Sequence, residues 1–349
     1  MREKASAPEY QGALANLSVN TPLEDVLVQG VEQLRAAREN GSLREMARCG
    51  LAVAEAHRRL GNLQEADQAW KASYRDARAA GDFGAMAWAL WSGGNLARGR
   101  GALTLAFRLH GYAAEAGKRG GDAVARGYSL AGMAETGRIQ GHYEDVEILH
   151  EQLLAEARRR GESRHIVWCL EGLAQIRRNS GRYDSALTLF EEAVAVAAEA
   201  DDRRGHAWAL RGFADIVSAR DGDTARALDL LTEAEETCRT MRLDSALAYN
   251  HKMRGNVLYR AGRYSEACGV YEQALAEFRD MSERRGEALS RLGLVKSRAR
   301  LGRERGQTVA DLDELRTEMD SIGLRHARAM VDRAHEELGL TLTATGGPQ

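Results

Sequence analysis

The chain has 349 residues, of which 44% are hydrophobic and 6% aromatic, with only 3 prolines and with 49 basic against 51 acidic side chains. This is enough apolar surface for a core, which excludes a disordered chain, and the Ala- and Leu-rich make-up favours helix over strand. Balanced charge gives no whole-molecule attraction to nucleic acid or anionic lipid, and no apolar run reaches the ~18 residues of a membrane span.

Met1-Arg2-Glu3-Lys4 carries charge with no apolar stretch behind it, so no signal peptide is visible and a soluble, cytoplasmic protein is expected. Cys49, Cys169, Cys238 and Cys268 are far apart and form no C-x-x-C pair, the pattern of reduced thiols.

Residues 1–20 are expected to form an irregular arm. Pro22, suited to a first helical position, opens a helix carrying Leu23, Val26 and Leu34. A repeat then governs the chain. Gly61, Gly101, Gly141, Gly181, Gly222, Gly262 and Gly302 are spaced 40, 40, 40, 41, 40 and 40 residues apart. Five residues after the first six stand Ala66, Ala106, Val146, Ala186, Ala227 and Ala267. Nine after them stand Trp70, His110, His150, Phe190, Leu231 and Tyr271. Chance does not hold three registers over six units.

Each unit reads as two helices joined at the glycine, which takes the left-handed conformation without steric cost. Ahead of the turn, Leu90, Leu130, Leu170 and Leu210 mark the first helix. After it, Ala186, Phe190, Ala193 and Val194 trace one face of the second. Ala134, Ala174, Ala214 and Gly255 are small where two helices approach closely. Beyond Gly302 the segment 303–307 breaks the pattern. Two closing helices are expected at 311–322 and 324–338, with apolar positions on the last of them, Met330 and Val331 among these, exposed and able to pair two chains as easily as cap one. Residues 341–349 are expected to be a disordered tail.

The sequence from Gly255 to Ala274, with Gly255, Tyr259, Gly262, Tyr264, Ala267, Tyr271 and Ala274, resembles the tetratricopeptide repeat (TPR). The resemblance extends over roughly residues 44–302, with a period of 40 instead of the usual ~34 and without the closing proline. It implies an all-α, right-handed α-solenoid of helix-turn-helix repeats, about seven units over residues 21–302, with capping helices over 303–340.

Thirteen residues before the turn glycine, or fourteen in the unit with the 41-residue spacing, stand Trp88, Tyr128, Trp168, Trp208 and Tyr249 in five consecutive units. It lies about 200° around the helix from the core leucine two residues on. The same face carries Trp91, Glu171, Arg211 and Lys252 three residues later. Asn95, Glu135, Gln175, Asp215 and Asn256 follow at seven, and Arg98, Arg138 and Arg178 at ten. By the TPR resemblance this face lines a concave groove that binds a ligand, though the same rings also suit packing between repeats. An aromatic floor buries apolar area and the polar groups fix orientation. Arg98, Arg138 and Arg178 in line point to carboxylates or phosphates. The cations Lys118, Arg119, Arg158–Arg160, Arg239 and Arg279 instead end second helices, where they complement the helix dipole.

Catalytic motifs fail on context. Gly111–Lys118 lacks the strand and the Ser or Thr of a phosphate loop, and Ser129 falls inside a helix instead of a nucleophile elbow. His110 and His150 read as satisfied core imidazoles. His165 and His206, near the groove face, are with Glu135, Glu171 and Asp215 the only material for acid–base chemistry. No His/Cys set has metal-ligand spacing, and no cofactor is implied. The expectation is a non-catalytic interaction protein, monomeric or homodimeric, that holds a peptide or protein segment in its groove as an adaptor or regulatory partner. The alternatives are a small-molecule or signalling-peptide sensor, resembling the sensor portions of bacterial transcriptional regulators but without a DNA-binding head, or a biosynthetic accessory protein or enzyme.

Overall fold

The computed structural model describes residues 22–321 and 323–340. The expected arm over residues 1–20 and tail over 341–349 lie outside the described residues. A first helix, α1 (Leu23–Glu39), precedes seven helical hairpins. These are α2 (Leu43–Arg59) with α3 (Leu63–Ala79), α4 (Phe83–Gly99) with α5 (Leu103–Gly120), and α6 (Ala123–Gln140) with α7 (Tyr143–Arg160). Then come α8 (Ser163–Asn179) with α9 (Tyr183–Glu199), α10 (Arg203–Ile216) with α11 (Thr224–Thr240), and α12 (Asp244–Arg260) with α13 (Tyr264–Asp280). The last hairpin pairs α14 (Arg284–Arg300) with α15 (Arg305–Ser321), and α16 (Arg325–Glu337) ends the described chain. The array is an all-α solenoid. None of these helices is long and apolar enough to cross a membrane.

The repeat glycines do what their spacing suggests. All seven have positive φ, from 67° at Gly222 to 93° at Gly302. In the turn after α8 the N–H groups of Gly181 and Arg182 donate to the carbonyls of Arg178 and Arg177, closing the orphan end of the helix. The turns between hairpins use the same conformation at Gly41, Gly81, Gly121 and Gly161. In later repeats a side chain occupies that position, at Asp201, Arg242 and Ser282, each with φ of 50–53°. The single 41-residue spacing also has a structural cause. The extra residue is absorbed in a π-helical turn, Val217–Asp221, at the end of α10.

Side chains from the second helices key into glycines on the first helices. The His110 ring lies between Gly94 and Gly132, where an added Cβ would come within 2.7 and 2.5 Å of it. Tyr271 lies against Gly255 in the same way, at 2.7 Å, and Trp70 against Gly93, at 2.8 Å. Ring and missing side chain are complementary, which fixes the spacing between neighbouring helices. His110 and His150 are fully buried, as expected for core residues. Neither ring nitrogen of either residue has a hydrogen-bond partner among the described residues, so they are not the satisfied imidazoles the sequence suggested.

The superhelix brings distant repeats together. Leu23, at the start of α1, packs in a cluster with Leu210, Cys238, Met241 and Leu243, and Glu24 pairs with Arg242 at 3.0 Å. The C-terminal end departs from expectation. Helix α15 begins at Arg305, inside the segment that looked interrupted. Val331 is fully buried in a cluster that joins α14, α15 and α16 to Ile139 of α6. Met330 packs against the same cluster, so neither residue offers the outward apolar face expected of them.

Candidate functional site

The first helices of the hairpins turn one face inward and line a cavity of about 410 Å³. Its wall includes sixteen of the seventeen residues that the repeat register placed on the groove face. From α4 come Trp91, Asn95 and Arg98, from α6 Tyr128, Glu135 and Arg138, and from α8 Trp168, Glu171, Gln175 and Arg178. Trp208, Arg211 and Asp215 follow on α10, and Tyr249, Lys252 and Asn256 on α12. Trp88 is absent from the wall. It is 1% exposed and lies beneath Trp91 and Tyr128, each with its ring centroid 5.5 Å away. As the first ring of the column it packs, while the later ones face the cavity.

The column also sets the geometry between repeats. Trp88 Nε1 donates to Asp122 Oδ2 at 3.0 Å, and Asp122 Oδ1 caps α6 through the Ala125 N–H. Tyr249 donates to Glu283 Oε2 at 2.7 Å, and the same oxygen caps α14 through the Gly286 N–H. Arg164 reaches Asp202, the cap of α10, at 3.0 Å. In each case a side chain of one unit anchors the N-terminus of the next first helix. Packing and cavity lining therefore coexist along this column.

The charges on the wall are unequal. Ten basic side chains line the cavity against four carboxylates, although the whole chain carries −2. Two of the three arginines expected to hold a ligand anion in line are paired within the protein. Arg138 holds Glu135 through two bonds of 2.6 and 2.7 Å, and Arg178 and Arg260 hold Asp215 at 2.5 and 2.6 Å. Burial would raise the Glu135 and Asp215 carboxyls, but these arginines outweigh it and hold both at about 2. Glu55, beneath the N-terminal part of the wall, is likewise held at about 2 by Arg58 and Arg59 against its burial.

Arg98, Lys252 and Arg285 differ in that none forms an ion pair among the described residues. Burial pushes the Arg98 guanidinium down to about 10; Glu135 opposes the shift, and Arg58, Arg285 and Arg138 add to it. Burial lowers the Lys252 ammonium to about 7 against the pull of Asp215, with Arg178, Arg285 and Arg260 adding repulsion. Arg285 lies over the Tyr249 ring, 5.6 Å from its centroid.

His165 stacks on Tyr128, with centroids 4.8 Å apart, and His206 faces Glu233 at 3.7 Å. Neither is on the cavity wall, so the imidazoles and carboxylates considered for acid–base work do not converge. Ser129 is inside α6 and donates to the Ala125 carbonyl. No group of His, Cys, Asp and Glu suited to a metal ion occurs among the described residues.

Several wall residues were not anticipated. Arg164, Arg204 and Arg285 stand one helical turn before Trp168, Trp208 and Leu289, so the aromatic register extended by four residues would have found them. Arg58 and Arg59 come from the end of α2. Leu324, Ala327 and Met330 bring in the C-terminal segment, and no repeat signal marks them.

Models of the tetratricopeptide repeat match residues 165–240 and 255–285. Among solved structures, a Rap protein complexed with Competence and Sporulation Factor is 12% identical with a TM-score of 0.59, over 91% of this chain and 98% of that one. The Rap conjugation gene regulator of plasmid pLS20, in complex with the Phr* peptide, is 14% identical with a TM-score of 0.63, over 87% and 79% of the two chains. The apo quorum sensor NprR from B. thuringiensis is 12% identical with a TM-score of 0.50, over 92% and 100%. Comparison with curated proteins gives no match. At these identities the structural likeness speaks for the fold. Repeat register, repeat models and shared solenoid together make the chain a tetratricopeptide-repeat-type protein.

Proposed function

We propose that this chain is a regulatory binding protein that takes a peptide or protein segment into its internal cavity. The observation that carries the reading is that five successive first helices present rings together with amide or charged side chains on the wall of one cavity. Trp91, Tyr128, Trp168, Trp208 and Tyr249 provide apolar area, and Asn95, Gln175 and Asn256 provide amides of the kind that pair with peptide backbone. Two structurally similar proteins were solved with Phr* peptide or Competence and Sporulation Factor bound, which supports the same use here. The cavity volume favours a second reading, a small-molecule sensor, since about 300–1,000 Å³ is the ordinary range for such pockets.

Affinity capture from native lysate tests the choice, with wild type beside a Trp168→Ala/Trp208→Ala variant of unchanged helicity. A peptide or protein segment recovered with wild type alone is the expected result. A small molecule recovered in its place would move the assignment to the sensor reading, and identical recovery by both proteins would remove the cavity from the account.

A further inference from the structure

On one stripe of α4, Trp91, Asn95 and Arg98 follow one another at four and then three residues, and all three line the cavity. Each has a buried polar atom with no partner among the described residues: the Trp91 indole N–H, the Asn95 Oδ1 and the Arg98 Nη1. Trp91 and Asn95 are 4% and 5% exposed. Buried polar groups are nearly always paired, because an unmade hydrogen bond in a low dielectric is costly. Three orphans in sequence on the wall of one cavity mark a place built for something that pairs with them.

Their chemistry specifies what fits. Trp91 donates, Asn95 presents an acceptor, and Arg98 donates with a full positive charge. Arg98 forms no ion pair among the described residues, and Arg58, Arg138 and Arg285 repel it while Glu135 attracts it. Arg285, itself without a carboxylate partner, comes from the far end of the solenoid and faces this stripe because the superhelix returns on itself. A neutral or cationic ligand would leave that repulsion in place. A carboxylate relieves it.

We infer that the stripe Trp91–Asn95–Arg98, with Arg285 opposite, is a subsite for a carboxylate next to a peptide amide. The carboxylate pairs with the guanidinium groups, the adjacent amide N–H donates to Asn95, and a neighbouring carbonyl accepts from Trp91. The C-terminal residue of a linear peptide has this set of groups, and so does an internal Asp or Glu. The inference rests on the peptide reading of the cavity and adds the charge class of the peptide.

Three mixed hexapeptide pools of identical Ala, Leu, Phe, Asn and Gly content form the test, with succinate as a non-peptide carboxylate. One pool is blocked at both ends, one has a free C-terminus, and one is blocked but carries an internal Glu. Binding is read by thermal shift and tryptophan fluorescence on wild type, Arg98→Gln and Arg285→Gln. The expected result is at least tenfold stronger binding of a carboxylate-bearing pool than of the blocked neutral pool, with the preference lost in either variant and weakened by salt. The two acidic pools distinguish a C-terminal from a side-chain carboxylate.

Unliganded Arg98→Gln should melt no lower than wild type, because it removes a repelled charge, and this separates a binding role from a folding role. Equal binding of the neutral pool would overturn the inference and leave the peptide reading standing. Binding of succinate with no pool bound would overturn the peptide reading, and with it the amide half of the inference, and leave a carboxylate subsite for a small molecule. Failure of all four probes would overturn both.

Discussion

Glu24 of α1 and Arg242, in the turn before α12, meet at 3.0 Å although 218 residues separate them in the chain. The pair lies at the surface, beside the buried contact that matters more, Leu23 against Met241 and Leu243. Leu23→Ala is therefore expected to lower stability by about 2–5 kcal/mol, as for other fully buried leucines. Arg242→Gln should leave the melting temperature nearly unchanged, because exposed ion pairs contribute little. Denaturant titration of the two variants checks this difference.

The ring-in-glycine contacts give a second expectation. Gly132→Ala places a methyl group against the His110 ring and should cost about 1–3 kcal/mol. Gly269, on α13, meets nothing within 4 Å, so Gly269→Ala should stabilise by about 0.5–1 kcal/mol through helix propensity alone. Ser282→Gly, at a φ of 53°, should stabilise by roughly 1–2 kcal/mol for the opposite reason, relief of a left-handed side chain. Thermal melts that rank the three otherwise would contradict the packing described.

Acid acts on this fold in two windows. Burial lowers the His150 imidazole from 6.5 to about 4, and burial with Arg98 and Arg58 nearby lowers His110 well below its ordinary value. The unfolded chain takes up protons that these folded residues refuse, so stability is lost as pH falls from 6.5 toward 4, at roughly 1 kcal/mol per pH unit for each residue. Burial raises Glu171 and Glu283, which act in the opposite sense and make the wild-type slope a sum. His150→Leu isolates one contribution, since Leu231 occupies the same register in a later repeat. Its stability curve should be flatter than that of wild type between pH 6.5 and 4. Glu55, Glu135 and Asp215, held at about 2, contribute stability above their ordinary values of 4.5 or 3.8 and lose it as pH falls through about 2.

Asp215 joins Arg178 and Arg260 and lies beside Lys252. Asp215→Asn leaves three cations around a neutral amide and should cost about 3–5 kcal/mol, the range for breaking a buried charge cluster from one side. The Lys252 ammonium, losing its counter-charge, should titrate below about 7. Chemical denaturation, with NMR titration of labelled lysine, follows both effects.

Much of this was legible in the sequence because a repeat protein writes its neighbour contacts in register. The aromatic column and the polar positions three, seven and ten residues after it all follow from one period. Pairing was partly legible too. Glu135 and Arg138, three apart on one helix, are natural partners, and that spacing already argues against leaving Arg138 for a ligand. The return of the superhelix was not legible, because pitch accumulates from small rotations that no single repeat encodes. Without it nothing connects Arg98 with Arg285, Leu23 with Leu243, or Ile139 with Val331. The first ring was misplaced for a related reason. Trp88 has the same register as Trp168, but Trp91 stands over it where the later units have Ala131, Glu171 or Arg211.

The most direct test of the account is site-specific photocrosslinking in native lysate. A photoreactive phenylalanine analogue is placed at Trp208, on the cavity wall, or at Tyr112, which is 57% exposed on a second helix. A crosslinked peptide or protein segment is expected at position 208 and none at position 112. Crosslinks at position 112, with position 208 silent, would contradict it and place recognition on the outer face.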